Sequence, residues 1–195
     1  MGSILLFNNY DLSALLENQK QQIAKAVSEV SSQQLTAVDQ EELVSELKRK
    51  LQIAPLVLME DEISVDQTET KVDVRNDPTR YIRDRSRPVY MDGIKVIYYV
   101  PFSGEAELLK CSPSQFNHNP PRATSIEKNE LVFEYNVVGR DIAQTKTAFE
   151  RTLGDLRQWV GWVNTQIEQY NSEIEVPVRS QIAARKQILE SGWHK

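Results

Sequence analysis

The sequence predicts an α+β fold: N-terminal helices, a central antiparallel sheet of about five to seven strands, and a long C-terminal helix kinked near Pro177. Three observations carry that prediction. The first is an apolar seam in the last third. Phe149, Leu153, Leu156, Val160, Val163, Ile167, Tyr170 and Ile174 recur at alternating spacings of four and three, which places them on one stripe of a helix roughly 39 Å long at about 1.5 Å per residue. The second is a change of period at Leu56, where helix-like spacing gives way to alternation. The third is a set of close turn signals, Asp92-Gly93 and Lys128-Asn129, whose short connections favour antiparallel pairing over βαβ units. The whole is read as one domain, 1–195, with a helical N-terminal segment over 1–54, a β-rich core over 55–138 and a helical arm over 140–195.

Taken in order, Asp11 caps a first helix with Leu12, Leu15, Leu16, Ile23, Val27 and Val30 near one face. Asp39 opens a second helix, with Glu42 in the capping-box position and Leu43, Leu47 and Leu51 on its inner face. Pro55 closes the helical region. Beyond it, Ile63 and Val65, and then Val72 and Val74, alternate with polar residues. Asp92-Gly93 predicts a tight hairpin between Val89–Met91 and Ile94–Val96. In the strand that follows, Ile94, Val96, Tyr98, Val100 and Phe102 share one face. Ala106–Cys111 reads as a further strand, and the proline-containing stretch 112–122 as an ordered loop. Leu131, Phe133, Tyr135 and Val137 alternate in the last strand. Asp141, with Gln144 three residues on, opens the long helix.

Composition limits the function. The apolar fraction is 40% and the net charge −5, which supports a real core and argues against broad binding to nucleic acid or anionic membrane. One cysteine, Cys111, and two histidines, His118 and His194, exclude an intramolecular disulfide and a Cys/His zinc site. Residues 1–8 have neither a basic leader nor a small-residue cleavage site, and Gly2 lacks the Ser or Thr of a myristoylation signal. No apolar run is long enough for a transmembrane helix. The expectation is a cytoplasmic protein without membrane attachment.

Four groups of residues compete for a functional role. An Arg-rich segment, Arg75, Arg80, Arg83, Arg85 and Arg87 with Tyr81 interleaved, is the best ligand-site candidate. Five guanidinium groups against Asp77 and Asp84 suit a nucleotide, another phosphate or an acidic partner, and Tyr81 offers a stacking plane. The alternative is an exposed loop whose arginines pair with neighbouring acids or lay their stems on the sheet. On the long helix, Trp159, Trp162, Val163 and Tyr170 form the candidate interaction face for a protein partner or a homo-oligomer. The seam's flanks, Glu150, Arg157, Asn164 and Asn171 on one side and Thr152, Trp159, Gln166 and Glu173 on the other, are mostly neutral. That favours packing within the chain over a parallel coiled coil. Gly154 and Gly161 mark either a solvent face or the close approach of another backbone.

The other two groups are weaker. Glu69-Thr70-Lys71, with an acid such as Asp61, would suit a metal-dependent nuclease or phosphodiesterase, but E-x-K arises readily in a chain that is 26% charged. Cys111 and His118 are close enough in sequence for a thiolate–imidazole pair, although no third group orients them. No Gly-rich phosphate loop, G-x-S-x-G or H-E-x-x-H is present. The sequence therefore calls for no catalytic residue, metal or cofactor.

Val100-Pro101-Phe102-Ser103-Gly104-Glu105, Pro113-Ser114 and Pro120-Pro121-Arg122, together with Tyr170-Asn171 and Arg185-Lys186, resemble a class of uncharacterised bacterial regions found upstream of effector domains in suspected phage-defence proteins. The resemblance implies a sensing, scaffolding or oligomerising module and carries no catalytic residues over. No effector domain follows Lys195, so the expectation is a stand-alone member acting with a separate effector, or a piece of something larger. Together these readings predict a non-enzymatic interaction, sensor or scaffold module of a bacterial cytoplasmic system such as antiviral defence. A metal-dependent nuclease and a purely structural homo-oligomeric subunit are the rivals.

Overall fold

The first helices begin where Asp11 and Asp39 cap them, and the strands run longer than the turn signals suggest. The computed structural model describes residues 3–139 and 142–192. Its elements are β1 (Ile4–Leu5), β2 (Tyr10–Asp11), α1 (Leu12–Glu29), α2 (Ser32–Ala37), α3 (Gln40–Leu51), β3 (Val57–Leu58) and β4 (Ser64–Asp73). There follow β5 (Tyr90–Ser103), β6 (Cys111–Ser112), β7 (Arg122–Ala123), β8 (Ser125–Glu127), β9 (Glu130–Val138), α4 (Ala143–Glu173) and α5 (Glu175–Gly192). The architecture is α+β with a central antiparallel sheet and a long, bent C-terminal helix. The expected cap at Asp141, like Gly2 and His194, lies outside the described residues.

By packing, the chain divides into two units, neither contiguous in sequence. One comprises Met1–Leu6, Val57–Ser103 and His118–Trp159; the other comprises Phe7–Leu56, Gly104–Asn117 and Val160–Lys195. The boundaries expected at 54 and 138 are not those of the units, because α4 contributes its first half to one and its second half to the other.

The first unit holds the five-stranded sheet. β5 pairs with β9 along one side, and with β3 and β4 along the other, and β8 pairs with β9. The hairpin predicted at Asp92-Gly93 does not form: both residues lie inside β5, opposite Lys71 and Thr70 of β4. A Cβ at Gly93 would stand 2.3 Å from the Val137 carbonyl oxygen and 2.7 Å from Val72 Cγ2. Close approach of two flanking strands, rather than a turn, therefore selects this glycine. The Lys128-Asn129 turn does form, with Lys128 at φ +54°, between β8 and β9. On the inner face of β5, Val96, Tyr98, Val100 and Phe102 are buried. Tyr98 stacks on Phe149 of α4 with centroids 3.9 Å apart, and Phe133 meets the same ring edge-on at 5.9 Å.

In the second unit, Asp11 Oδ1 accepts from the Ser13 N–H at 2.8 Å and starts α1, burying Leu12, Leu16, Ile23 and Val27. The chain then makes a short helix, α2, that the apolar spacing does not announce. Its signal is the capping box of Ser31 and Gln34. Asp39 caps α3 through the Glu41 N–H at 2.9 Å, without a return bond from Glu42. Ala106–Lys110 forms a 3₁₀ turn instead of the expected strand, because it buries the adjacent residues Leu108 and Leu109 together, which alternation cannot do. Gly104 needs its φ of +98°, and a Cβ there would collide with the Pro55 carbonyl oxygen at 2.1 Å.

The seam is interior along its whole length. Phe149, Leu153, Leu156, Val160, Val163, Ile167, Tyr170 and Ile174 are all buried, and Val178 and Ile182 continue the stripe fully buried. The bend expected near Val176 falls at Ile174. Pro177 has no N–H and its ring crowds the carbonyl four residues back, so the helix yields at Glu173–Ile174. The bonds Ile174 N–H to Tyr170 and Val178 N–H to Ile174 persist at 3.2 Å each, and the stripe passes through unbroken.

Candidate functional site

The Arg-rich segment is the connection between β4 and β5, residues 74–89. Its ends are tied by Asp73, whose Oδ1 accepts from the N–H groups of Arg75 and Val89, each at 3.1 Å, while Oδ2 holds Arg75 Nε at 2.9 Å. Inside the loop, Asp77 accepts from Thr79 N–H at 2.9 Å and pairs with Arg80 Nε at 3.0 Å. Asp84 accepts from Ser86 N–H at 2.9 Å. These bonds hold all three carboxyls below their ordinary range: Arg75 N–H is the main cause at Asp73, the Thr79 hydroxyl at Asp77 and the Ser86 hydroxyl at Asp84. Arg85 is the loop's internal tie, donating to the carbonyl oxygens of Arg75 at 3.0 Å, Arg80 at 3.1 Å and Asp77 at 3.3 Å.

The five arginines are thus not equivalent. Arg75, Arg80 and Arg85 are engaged by the loop itself. Arg83 and Arg87 are exposed and form no ion pair among the described residues. Tyr81 is 95% exposed. An ordered loop that displays two arginines and a tyrosine, with its own carboxylates engaged elsewhere, can grip an anionic group without first paying to order itself.

The candidate interaction helix is placed differently. Trp159, Val163 and Tyr170 are 2, 0 and 2% exposed, so these side chains are consumed by the interior and are not a face for a partner. Trp162 is half-buried. Gly154 and Gly161 have open space where a Cβ would stand, which fits the solvent-face reading. Glu69 and Lys71 lie on exposed β4, with Lys71 paired to Asp92 across the ladder. No group of three or more His, Cys, Asp or Glu among the described residues could hold a metal ion. Cys111 is fully buried. Its thiol donates to the Glu107 carbonyl, and burial pushes its pKa up, the reverse of what a nucleophile needs. His118 is exposed.

Two features escape sequence reasoning. A groove of about 820 Å³ in the second unit is lined by Tyr10, Asn18, Gln19, Lys50, Gln52 and Glu105, residues drawn from three distant stretches with no shared motif. The polar groups of the C-terminal helices form the other. Asn164 makes a reciprocal pair with Leu56, donating to its carbonyl at 2.7 Å and accepting from its N–H at 2.9 Å. Asn171 does the same with Ile53 at 2.9 and 3.0 Å. Tyr170 Oη donates to Leu51 O at 3.2 Å, Arg185 to the carbonyls of Val27 and Val30, and Lys186 to Val38 O at 3.5 Å. Those carbonyls lie at the C-terminal ends of α3, α1 and α2, where helical donors run out, although Val27 also accepts from the Val30 N–H. The one signal available in sequence is the heptad spacing of Asn164 and Asn171 on the neutral flank.

No protein-family model, curated protein or solved structure matches this chain. No helix among the described residues is long and apolar enough to cross a membrane.

Proposed function

We propose that this protein is a non-catalytic interaction module that docks an acidic surface of a protein partner through the 74–89 loop. The observation that carries the reading is the division of labour in the loop: Arg85 fixes the backbone by three carbonyl bonds, while Tyr81, Arg83 and Arg87 face solvent. A bidentate guanidinium suits carboxylate as well as phosphate, and a free nucleotide is the alternative ligand of the same chemistry. The resemblance to regions upstream of phage-defence effectors supports a sensor or scaffold in a bacterial cytoplasmic system.

Calorimetric titration with a poly-glutamate peptide and with ATP as probes tests this. The expected result is salt-sensitive binding of the peptide that weakens at least about tenfold in Arg83→Glu/Arg87→Glu, with an unchanged melting temperature. Binding of ATP alone shifts the reading to a nucleotide site. Peptide binding that survives the double substitution, or no binding of either probe, removes it.

A further inference from the structure

The ten residues of β4 form an exposed edge. They pair with β5 in unbroken register from Ser64–Tyr99 to Asp73–Tyr90, and no other strand pairs with them among the described residues. None of the ten is buried. The strand has no proline and pairs without a bulge, and its charges, Asp66, Glu69, Lys71 and Asp73, are what a partner strand has to match. Every second residue therefore turns its N–H and C=O outward, ready for another strand.

We propose that β4 pairs antiparallel with β4 of a second copy of this chain, with Thr70 opposite Thr70 on the two-fold axis. The occupant follows from symmetry and charge. An isologous antiparallel edge contact places its two-fold perpendicular to the sheet, so a given residue lies on the same face in both copies. Opposed residues must then both be odd or both be even in number. Centring on Glu69 sets like charges against each other, and centring on Lys71 does the same while also opposing Glu69 to Asp73. Centring on Thr70 opposes Glu69 to the second copy's Lys71 twice over, and Thr68 to its Val72. Lys71 then stands between its own Asp92 and the second copy's Glu69. The E-x-K spacing is in this way self-complementary. The two-fold contact uses β4 of both copies, so the pairing closes as a dimer rather than growing into a fibre. Val74 of the two copies would lie about 26 Å apart along the strands, at about 3.3 Å per residue, presenting two 74–89 loops. Dimerisation itself does not depend on what those loops bind.

Sedimentation of the full chain across the micromolar to millimolar range tests the proposal. The expected result is a reversible monomer–dimer equilibrium. Glu69→Lys and Lys71→Glu should each raise its dissociation constant about tenfold, and the double exchange Glu69→Lys/Lys71→Glu should bring it back. Mild oxidation of Thr70→Cys should give a cross-linked dimer, whereas Thr68→Cys should not, since Thr68 faces Val72. A chain that stays monomeric at millimolar concentration overturns the proposal, as does a dimer insensitive to both single substitutions or a Thr70→Cys variant that does not cross-link.

Discussion

Tyr81 and Tyr170 are the same residue type in two regions of the chain, and they meet opposite fates. Tyr81 is 95% exposed, whereas Tyr170 is 2% exposed with its hydroxyl on the Leu51 carbonyl. The same contrast separates Arg83, which faces solvent, from Arg185, which draws the end of α1 to itself. In the C-terminal helices a polar group lies beside an apolar stripe, and the nearest acceptors are buried backbone carbonyls left over at helix ends. In the 74–89 loop there is no apolar layer beneath most of the chain, so the loop satisfies its own backbone with Asp73, Asp77, Asp84 and Arg85 and has polar groups to spare. What a polar side chain does is decided by whether a desolvated backbone group needs it.

The contrast is broken most severely by Val163→Asp. This position is 0% exposed, and an unpaired carboxylate there should cost on the order of 4–5 kcal/mol. Denaturant unfolding should show a collapsed or unfolded protein. A stable, merely monomeric variant would mean the seam is an interface after all. Next, Asn171→Leu strands both backbone groups of Ile53 and should cost about 2 kcal/mol, whereas Arg87→Leu should stay within about 0.5 kcal/mol; equal effects on thermal midpoints would erase the distinction between the regions. Arg185→Met, which takes the side-chain donor from the Val27 and Val30 carbonyls and leaves Val27 only the Val30 N–H, should fall between them at about 1–2 kcal/mol.

Within the loop, Arg85→Met should accelerate tryptic cleavage after Arg80 and Arg83, while Arg83→Met leaves the bond after Arg80 as protected as before. Equal cleavage in both variants would show that Arg85 orders nothing. The smallest effect is a dependence on pH. Asp73, Asp77 and Asp84 have lowered pKa values when folded, so they bind protons more readily unfolded. Their contribution is present above the ordinary aspartate range and fades as pH falls through the depressed folded values. Amide shifts of Arg75, Thr79 and Ser86 followed from pH 5 downward should therefore move at lower pH than free aspartate titrates. A transition at or above the ordinary value would contradict the bonding described.

Much of the fold was legible because it rests on periodicity and capping. The seam, the Asp11 and Asp39 caps and the Lys128-Asn129 turn depend on neighbours in sequence, and each stands where local rules put it. Asp92-Gly93 was misleading for the same reason. The pair satisfies a hairpin rule locally, yet Gly93 is there because Val72 and Val137 crowd it from two other strands. Of the candidate sites, the Arg segment could be found from composition, but not which arginines remain available. That depended on three carbonyls gathered around Arg85 by the folding of the loop.

The sequence by itself determined the class, the long interior helix and its yielding at Pro177, since hydrophobic spacing and proline's missing donor act wherever the chain goes. Only the tertiary structure decided that Asn164 and Asn171 clamp the 53–56 segment, that Tyr170, Arg185 and Lys186 close three helix ends, and that β4 keeps an open edge. Those outcomes hinge on where backbone groups distant in sequence are left unsatisfied, and no local pattern records that.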